Sequence, residues 1–199
     1  MENATRERLP LPQKLKDRLY PAVLELFSRE DFHHVNIREI YKKSGISPST
    51  IYKYYTSKED LLFTILDEKI SEIARLVNLH IQGLESTKEI IRKIFWVTLD
   101  YYDNNPGVAV TAFITIPLRS WMREPSYIRE DAYSVIIDVY NRGISNGEID
   151  PAITISDCVD QYYMYCYRQI HMWYFHGMKW KLVDTIPRFY PIFWKTVST

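Results

Sequence analysis

The sequence predicts an all-α protein, with a small three-helix unit at its N-terminus and a larger helical unit after it. Three observations carry this reading. Apolar residues recur every three or four positions through most of the chain, the pattern of helices turning one face to a core. Only 6 glycines and 10 prolines occur in 199 residues, and they fall mostly at the edges of those periodic stretches. No segment shows the strict apolar-polar alternation of a half-buried strand. A composition of 46% hydrophobic and 25% charged residues can bury a core, which sets the chain apart from disordered sequences.

The first helix carries Leu15, Leu19, Ala22, Val23, Leu26 and Phe27 on one stripe and is expected to end near Arg29. Asn36 followed by Glu39 has capping-box spacing, so a short second helix starts there and runs to about Lys43. Gly45 supplies a left-handed turn, Ser47 stands ready to cap a third helix, and Pro48 occupies the first-turn position that proline tolerates best. A helix-turn-helix results. Thr56 and Ser57 break the third helix, and Ser57 caps a long fourth one containing Leu61, Leu62, Ile65, Leu66, Ile70 and Ile73 and reaching His80. The expected domains are 1–60 and 61–199.

Past Ser86, a helix beginning at Ser86–Glu89 stops at Asn104, Asn105 and Pro106. Pro106 opens a shorter one that ends at Pro117. Pro125 starts the next, with Ile128, Ala132, Val135, Ile136, Val139 and Tyr140, and Gly143 and Gly147 let it end before Asp150 and Pro151. Two more span about Ser156 to His176 and Leu182 to Val197, the last irregular because Pro187 and Pro191 each remove a backbone donor. There is no internal repeat and no low-complexity tract.

Net charge is uninformative, since Lys plus Arg and Asp plus Glu each total 25. Locally the balance shifts. From Arg38 to Lys58, five basic residues (Arg38, Lys42, Lys43, Lys53, Lys58) face one acid, Glu39, a positive footprint suited to phosphate. No run approaches the roughly 18 apolar residues of a membrane helix, and the chain opens on polar MENATRER, so a cytoplasmic protein is expected. Cys158 and Cys166 lie in one predicted helix about 12 Å apart, beyond disulfide reach. With His171 and His176 they are spaced by eight, five and five positions, which scatters them around the helix; no metal and no cofactor is expected. Nothing resembles a phosphate loop, a nucleophile elbow or a catalytic carboxylate pair.

The segments Val23-Leu24-Glu25-Leu26-Phe27, Ile37-Arg38-Glu39-Ile40, Ser44-Gly45-Ile46-Ser47, Thr50-Ile51-Tyr52-Lys53-Tyr54-Tyr55 and Ser57-Lys58-Glu59-Asp60-Leu61-Leu62 follow one another in the order and spacing of the TetR family's N-terminal domain, which this chain resembles over about 50 residues. Asp31 stands where the family usually has glycine, and Tyr41 where it usually has alanine. The resemblance implies a DNA-binding helix-turn-helix followed by a C-terminal ligand-binding and dimerisation domain. Pro48, Ser49 and Lys53 are then expected to face base edges, with Lys53 suited to guanine O6 and N7. Thr50, Tyr52, Tyr54 and Lys58 match phosphate-contacting positions, Lys58 near the free amides of the fourth helix. Ile51 and Tyr55 match buried positions. Lys42 and Lys43 are read as ordinary surface.

Aromatic residues are dense from Trp96 to Trp194. The resemblance implies a ligand cavity among the middle helices, for which Trp96, Phe113, Trp121, Gln161, Tyr162 and Cys166 are the candidates. The run Arg-Gly-Ile-Ser-Asn-Gly-Glu-Ile at 142–149 resembles a segment of several TetR members, including those responding to acyl thioesters, which fits a flat aromatic or an acyl ligand equally. The implied partners are double-stranded DNA, a small-molecule effector and a second copy of the chain joined through the last two helices. The reading is a homodimeric repressor on an inverted-repeat operator, released by a small, mainly apolar effector. An activator, or a helical small-molecule-binding module with DNA binding secondary, stays open.

Overall fold

The computed structural model describes residues 10–124 and 130–199. Ten α-helices occur among these residues: α1 (Gln13–Arg29), α2 (Ile37–Ser44), α3 (Pro48–Tyr54), α4 (Lys58–His80), α5 (Thr87–Asn104), α6 (Pro106–Val110), α7 (Leu118–Trp121), α8 (Glu130–Ser145), α9 (Ile155–Phe175) and α10 (Ile186–Val197). A π turn, Thr111–Thr115, continues α6, and a 3₁₀ turn, Leu182–Thr185, leads into α10. No β-strand forms among the described residues; Ile149 and Ser198 make an isolated antiparallel bridge. The all-α expectation holds. The helix start expected at Pro125, with Ile128, lies outside the described residues, as do the side chain of Ala132 and the MENATRER stretch.

The chain divides into two compact units, and the division falls inside α4, between Leu66 and Asp67. In the first unit the helix boundaries come from local caps. The Asn36 side chain accepts from the Arg38 and Glu39 amides while Glu39 accepts from the Asn36 amide, a complete capping box. Gly45 closes α2 with φ 66°, a conformation that costs an L side chain and costs glycine little. Ser47 caps α3 by accepting from the Thr50 amide, and Pro48 follows at its first turn. Leu19, Val23, Phe27, Ile40, Ile51, Leu61, Leu62 and Ile65 are buried together as the core of this unit.

The second unit is built around Phe95 of α5, which is 0% exposed. Tyr162 and Tyr165 of α9 and Phe189, Tyr190 and Phe193 of α10 place their ring centroids 5.1 to 6.1 Å from it. Thr154 and Asp157 form a second capping box that starts α9, one residue ahead of the expected Ser156. Proline shapes the last helix as expected: Leu182–Thr185 is 3₁₀, Pro187 enters in the first turn, and Pro191 sits inside α10.

The N-terminus of α5 is closed from far away. Ser86 precedes it but makes no cap of its own; the Glu148 carboxylate accepts from the Thr87 and Lys88 amides and from the Ser86 hydroxyl, at 3.0 to 3.4 Å. Gly143 allows this approach, since a Cβ there would lie 2.5 Å from Ile149 Cδ1 and 2.8 Å from Thr87 Cγ2. Burial raises the Glu148 pKa, but the donors around it outweigh burial and hold it below its ordinary 4.5. A carboxylate with a lowered folded pKa adds stability in full above the unfolded value and loses it as pH falls through the folded one. Glu148→Gln is therefore expected to cost about 1 kcal/mol at neutral pH. The gap between variant and parent, measured by denaturant titration, should close as pH falls below 4.5.

Candidate functional site

In α3 the residues divide by helix phase. Ile51 is buried, as is Tyr55 at the extended C-cap just past the helix; both anchor the helix, and the Tyr55 hydroxyl lies 3.4 Å from the Tyr20 hydroxyl. Ser49, Tyr52 and Lys53 are exposed, Tyr52 at 55%. Pro48, Thr50 and Tyr54 are half-buried. At the N-terminus of α3 three hydroxyls meet, with Ser47 Oγ 2.9 Å from both Ser49 Oγ and Thr50 Oγ1. Lys53 Nζ lies over the Tyr54 ring at 5.5 Å, so its ammonium is steered along the exposed face. The turn before α3 is pinned by Arg18, which donates to the Ser44 carbonyl at 3.0 Å, and by Ser44, whose hydroxyl donates to the Ile40 carbonyl and accepts from the Ile46 amide.

The basic footprint is smaller than its residue count. Lys43 pairs with Glu25 at 2.8 Å, and that bond lowers the Glu25 pKa. Lys58 is placed differently from the sequence expectation. Its ammonium donates to the Phe32 and Val35 carbonyls at 2.9 and 2.7 Å and lies 5.2 Å from the Phe32 ring centroid. Its side chain is 18% exposed. The start of α4 is likewise no open anion site: Glu59 and Asp60 stand in its first turn, and Asp60 accepts from the Thr56 amide and hydroxyl. Arg38, Lys42, Lys43 and Lys53 are the exposed cations of this stretch, Lys43 being the one held by Glu25.

The second unit holds a cavity of about 320 Å³. The π turn supplies Ala112, Phe113 and Ile114, the following residues supply Ile116, Pro117, Leu118 and Trp121, and α9 supplies Tyr167 and His171. Of the six candidates read from the sequence, Phe113 and Trp121 line it. Tyr162 borders a separate void of about 30 Å³ beside Phe95 and shares a 2.6 Å hydrogen bond with Thr98; burial pushes its hydroxyl well above the ordinary tyrosine range. Cys166 is buried, and burial drives its thiol far up, leaving it a packing residue. Gln161 accepts from the Thr196 hydroxyl at 2.8 Å. Trp96 is 37% exposed beneath the Lys93 ammonium at 4.9 Å. An aromatic chain runs into the cavity wall: Tyr102 touches Phe113, Phe113 touches Tyr167, and Tyr167 touches His171 edge-on at 3.9 Å.

Residues 21–65 match the sequence profile of the bacterial regulatory proteins of the tetR family. The fatty acid metabolism regulator protein of Bacillus subtilis (strain 168) is 22% identical over 169 residues, which cover 81% of this chain and 84% of that protein. The matched segment, residues 21–65, is a TetR-type N-terminal domain. Two solved structures share the fold of this chain. The fatty acid degradation regulator FadR from Bacillus halodurans superposes with a TM-score of 0.84 at 13% identity, over 93% of this chain and 96% of that one. FadR from Bacillus subtilis, solved in complex with stearoyl-CoA, gives 0.81 at 17% identity, over 89% and 96%.

The matched segment is the helix-turn-helix of DNA-binding transcription regulators. No helix among the described residues is long and apolar enough to cross a membrane. Sequence reasoning missed His171 and the π turn as cavity features. His171 was weighed only as a metal ligand, and a π turn leaves no mark in apolar periodicity because it spans less than two helical turns.

Proposed function

We propose that this TetR-family regulator is a cytoplasmic homodimeric repressor that binds an inverted-repeat operator and is released by a small, mainly apolar effector held in the cavity of the second unit. The observation that carries the DNA half is the phase of α3: Ile51 and Tyr55 are spent on anchorage while Ser49, Tyr52 and Lys53 face outward. A helix presented this way fits the major groove, with Pro48, Ser49 and Lys53 toward base edges and Thr50, Tyr52 and Tyr54 toward phosphates. Lys58 serves by holding the loop before α2. The dimer half is supported by α9 and α10, where Tyr163, Met164, Tyr174, Phe175 and Ile192 are exposed apolar residues. On α9 these pairs stand eleven positions apart, about three turns, and so share a face. Two copies joined there set two recognition helices on a two-fold axis, for half-sites about one DNA turn apart.

The test is a gel shift with the DNA upstream of the chain's own gene, followed by selection from a randomised inverted repeat. A specific complex is expected, and its absence at moderate salt would sink the proposal. Lys53→Ala is expected to change the preferred base at one position per half-site, a change worth about 1–3 kcal/mol of discrimination. Tyr52→Phe should weaken all sequences alike.

The cavity volume of about 320 Å³ lies at the small end of ligand sites, which run from about 300 to 1,000 Å³. That favours a compact effector.

A further inference from the structure

One wall of the cavity is the π turn Thr111–Thr115. Such turns disturb the regular hydrogen-bond ladder and concentrate at functional sites. Here two successive carbonyls of the turn are claimed by side chains from elsewhere in the unit. The Trp121 indole donates to the Ala112 carbonyl at 2.8 Å, and His171 Nε2 lies 2.9 Å from the Phe113 carbonyl oxygen. Both side chains line the cavity.

The second of these bonds fixes a proton. A carbonyl oxygen only accepts, so Nε2 of His171 carries hydrogen and donates. In the neutral imidazole Nδ1 is then a bare lone pair, and among the described residues it has no hydrogen-bond partner. Among the described residues, the cavity lining contains no Asp or Glu to hold a cation and no Lys or Arg to hold an anion. Its remaining side chains are aliphatic or aromatic. An ether, ester or thioester oxygen brought to Nδ1 would set lone pair against lone pair, whereas a hydroxyl would donate into it.

We infer that His171 is the specificity-determining residue of this cavity, and that its ligand is a compact, neutral, mainly apolar molecule whose hydroxyl, of the phenol or alcohol class, donates to His171 Nδ1. This rests on the effector reading above and narrows it. The π turn and Trp121 hold Phe113 in place, Phe113 holds the imidazole, and the imidazole presents an acceptor.

A matched pair of probes tests it: para-butylphenol and para-butylanisole, titrated into the full chain by calorimetry. They differ by one methyl group that removes the donor. The phenol is expected to bind about tenfold more tightly, because an acceptor left unpaired in the site is costly. His171→Phe keeps an aromatic ring beside Phe113 and Tyr167 and offers no acceptor; a thermal melt matching the parent establishes that it folds. In this variant both probes should bind, with the ratio falling toward one. Equal affinities in the parent, or a tenfold ratio that survives in His171→Phe, overturns the assignment to His171. Binding of neither probe to the parent overturns the effector reading itself.

Discussion

Phe95→Ala is expected to destabilise the second unit by about 3–5 kcal/mol. The side chain is wholly buried and stands among five rings from two other helices, most of them edge-on. Removing it loses transfer free energy, opens a void that the stiff rings around it fill poorly, and strips edge-to-face contacts from α9 and α10 together. The readout is clean because all five tryptophans, Trp96, Trp121, Trp173, Trp180 and Trp194, belong to the second unit. Denaturant titration followed by tryptophan fluorescence therefore reports that unit alone. Trp96→Ala, one residue along but exposed, should change the midpoint little. A Phe95→Ala midpoint as close to the parent as that of Trp96→Ala would show that α9 and α10 do not depend on this centre.

Lys58→Met is expected to cost the first unit about 2–3 kcal/mol, because methionine keeps the length of the side chain but leaves the Phe32 and Val35 carbonyls without their charged donor. Hydrogen exchange at the amides of residues 32–36 should rise with the loss. Operator affinity should also fall, through misplacement of α2. The slope of log affinity against log salt should stay unchanged, since no phosphate charge contact is removed. If Lys58 instead touches phosphate, the slope drops by about one and stability is unaffected.

These residues show where sequence reasoning succeeds. The helix-turn-helix was legible because each of its boundaries is made by groups no more than four residues apart: Asn36 with Glu39, Gly45 with Tyr41, Ser47 with Thr50. Thr154 and Asp157 obey the same spacing and place α9 one residue from its expected start. Ile51 and Tyr55 are buried at positions that the TetR resemblance marks as buried, and Tyr52, next to Ile51 on a short helix, turns away from that side.

What the chain concealed depends on distant partners. The Lys58 ammonium meets carbonyls 23 and 26 residues away, and nothing in a lysine at the head of a helix separates that arrangement from a phosphate contact. Cavity membership was concealed for a similar reason. Phe113 and Trp121 lie close in sequence to the π turn that forms the wall, whereas Trp96, Gln161, Tyr162 and Cys166 depend on how α5, α9 and α10 rotate against one another, and aromatic content does not encode that rotation.

The Glu148 cap bears on the order of assembly. Helix α5 cannot be closed at its start until a carboxylate 61 residues downstream arrives, and the loop entropy of that encounter must be met before its hydrogen bonds repay it. The helix starts of the first unit need only residues that leave the ribosome almost together. Synthesis from the N-terminus thus lets the first unit complete its helices while the second is still unfinished.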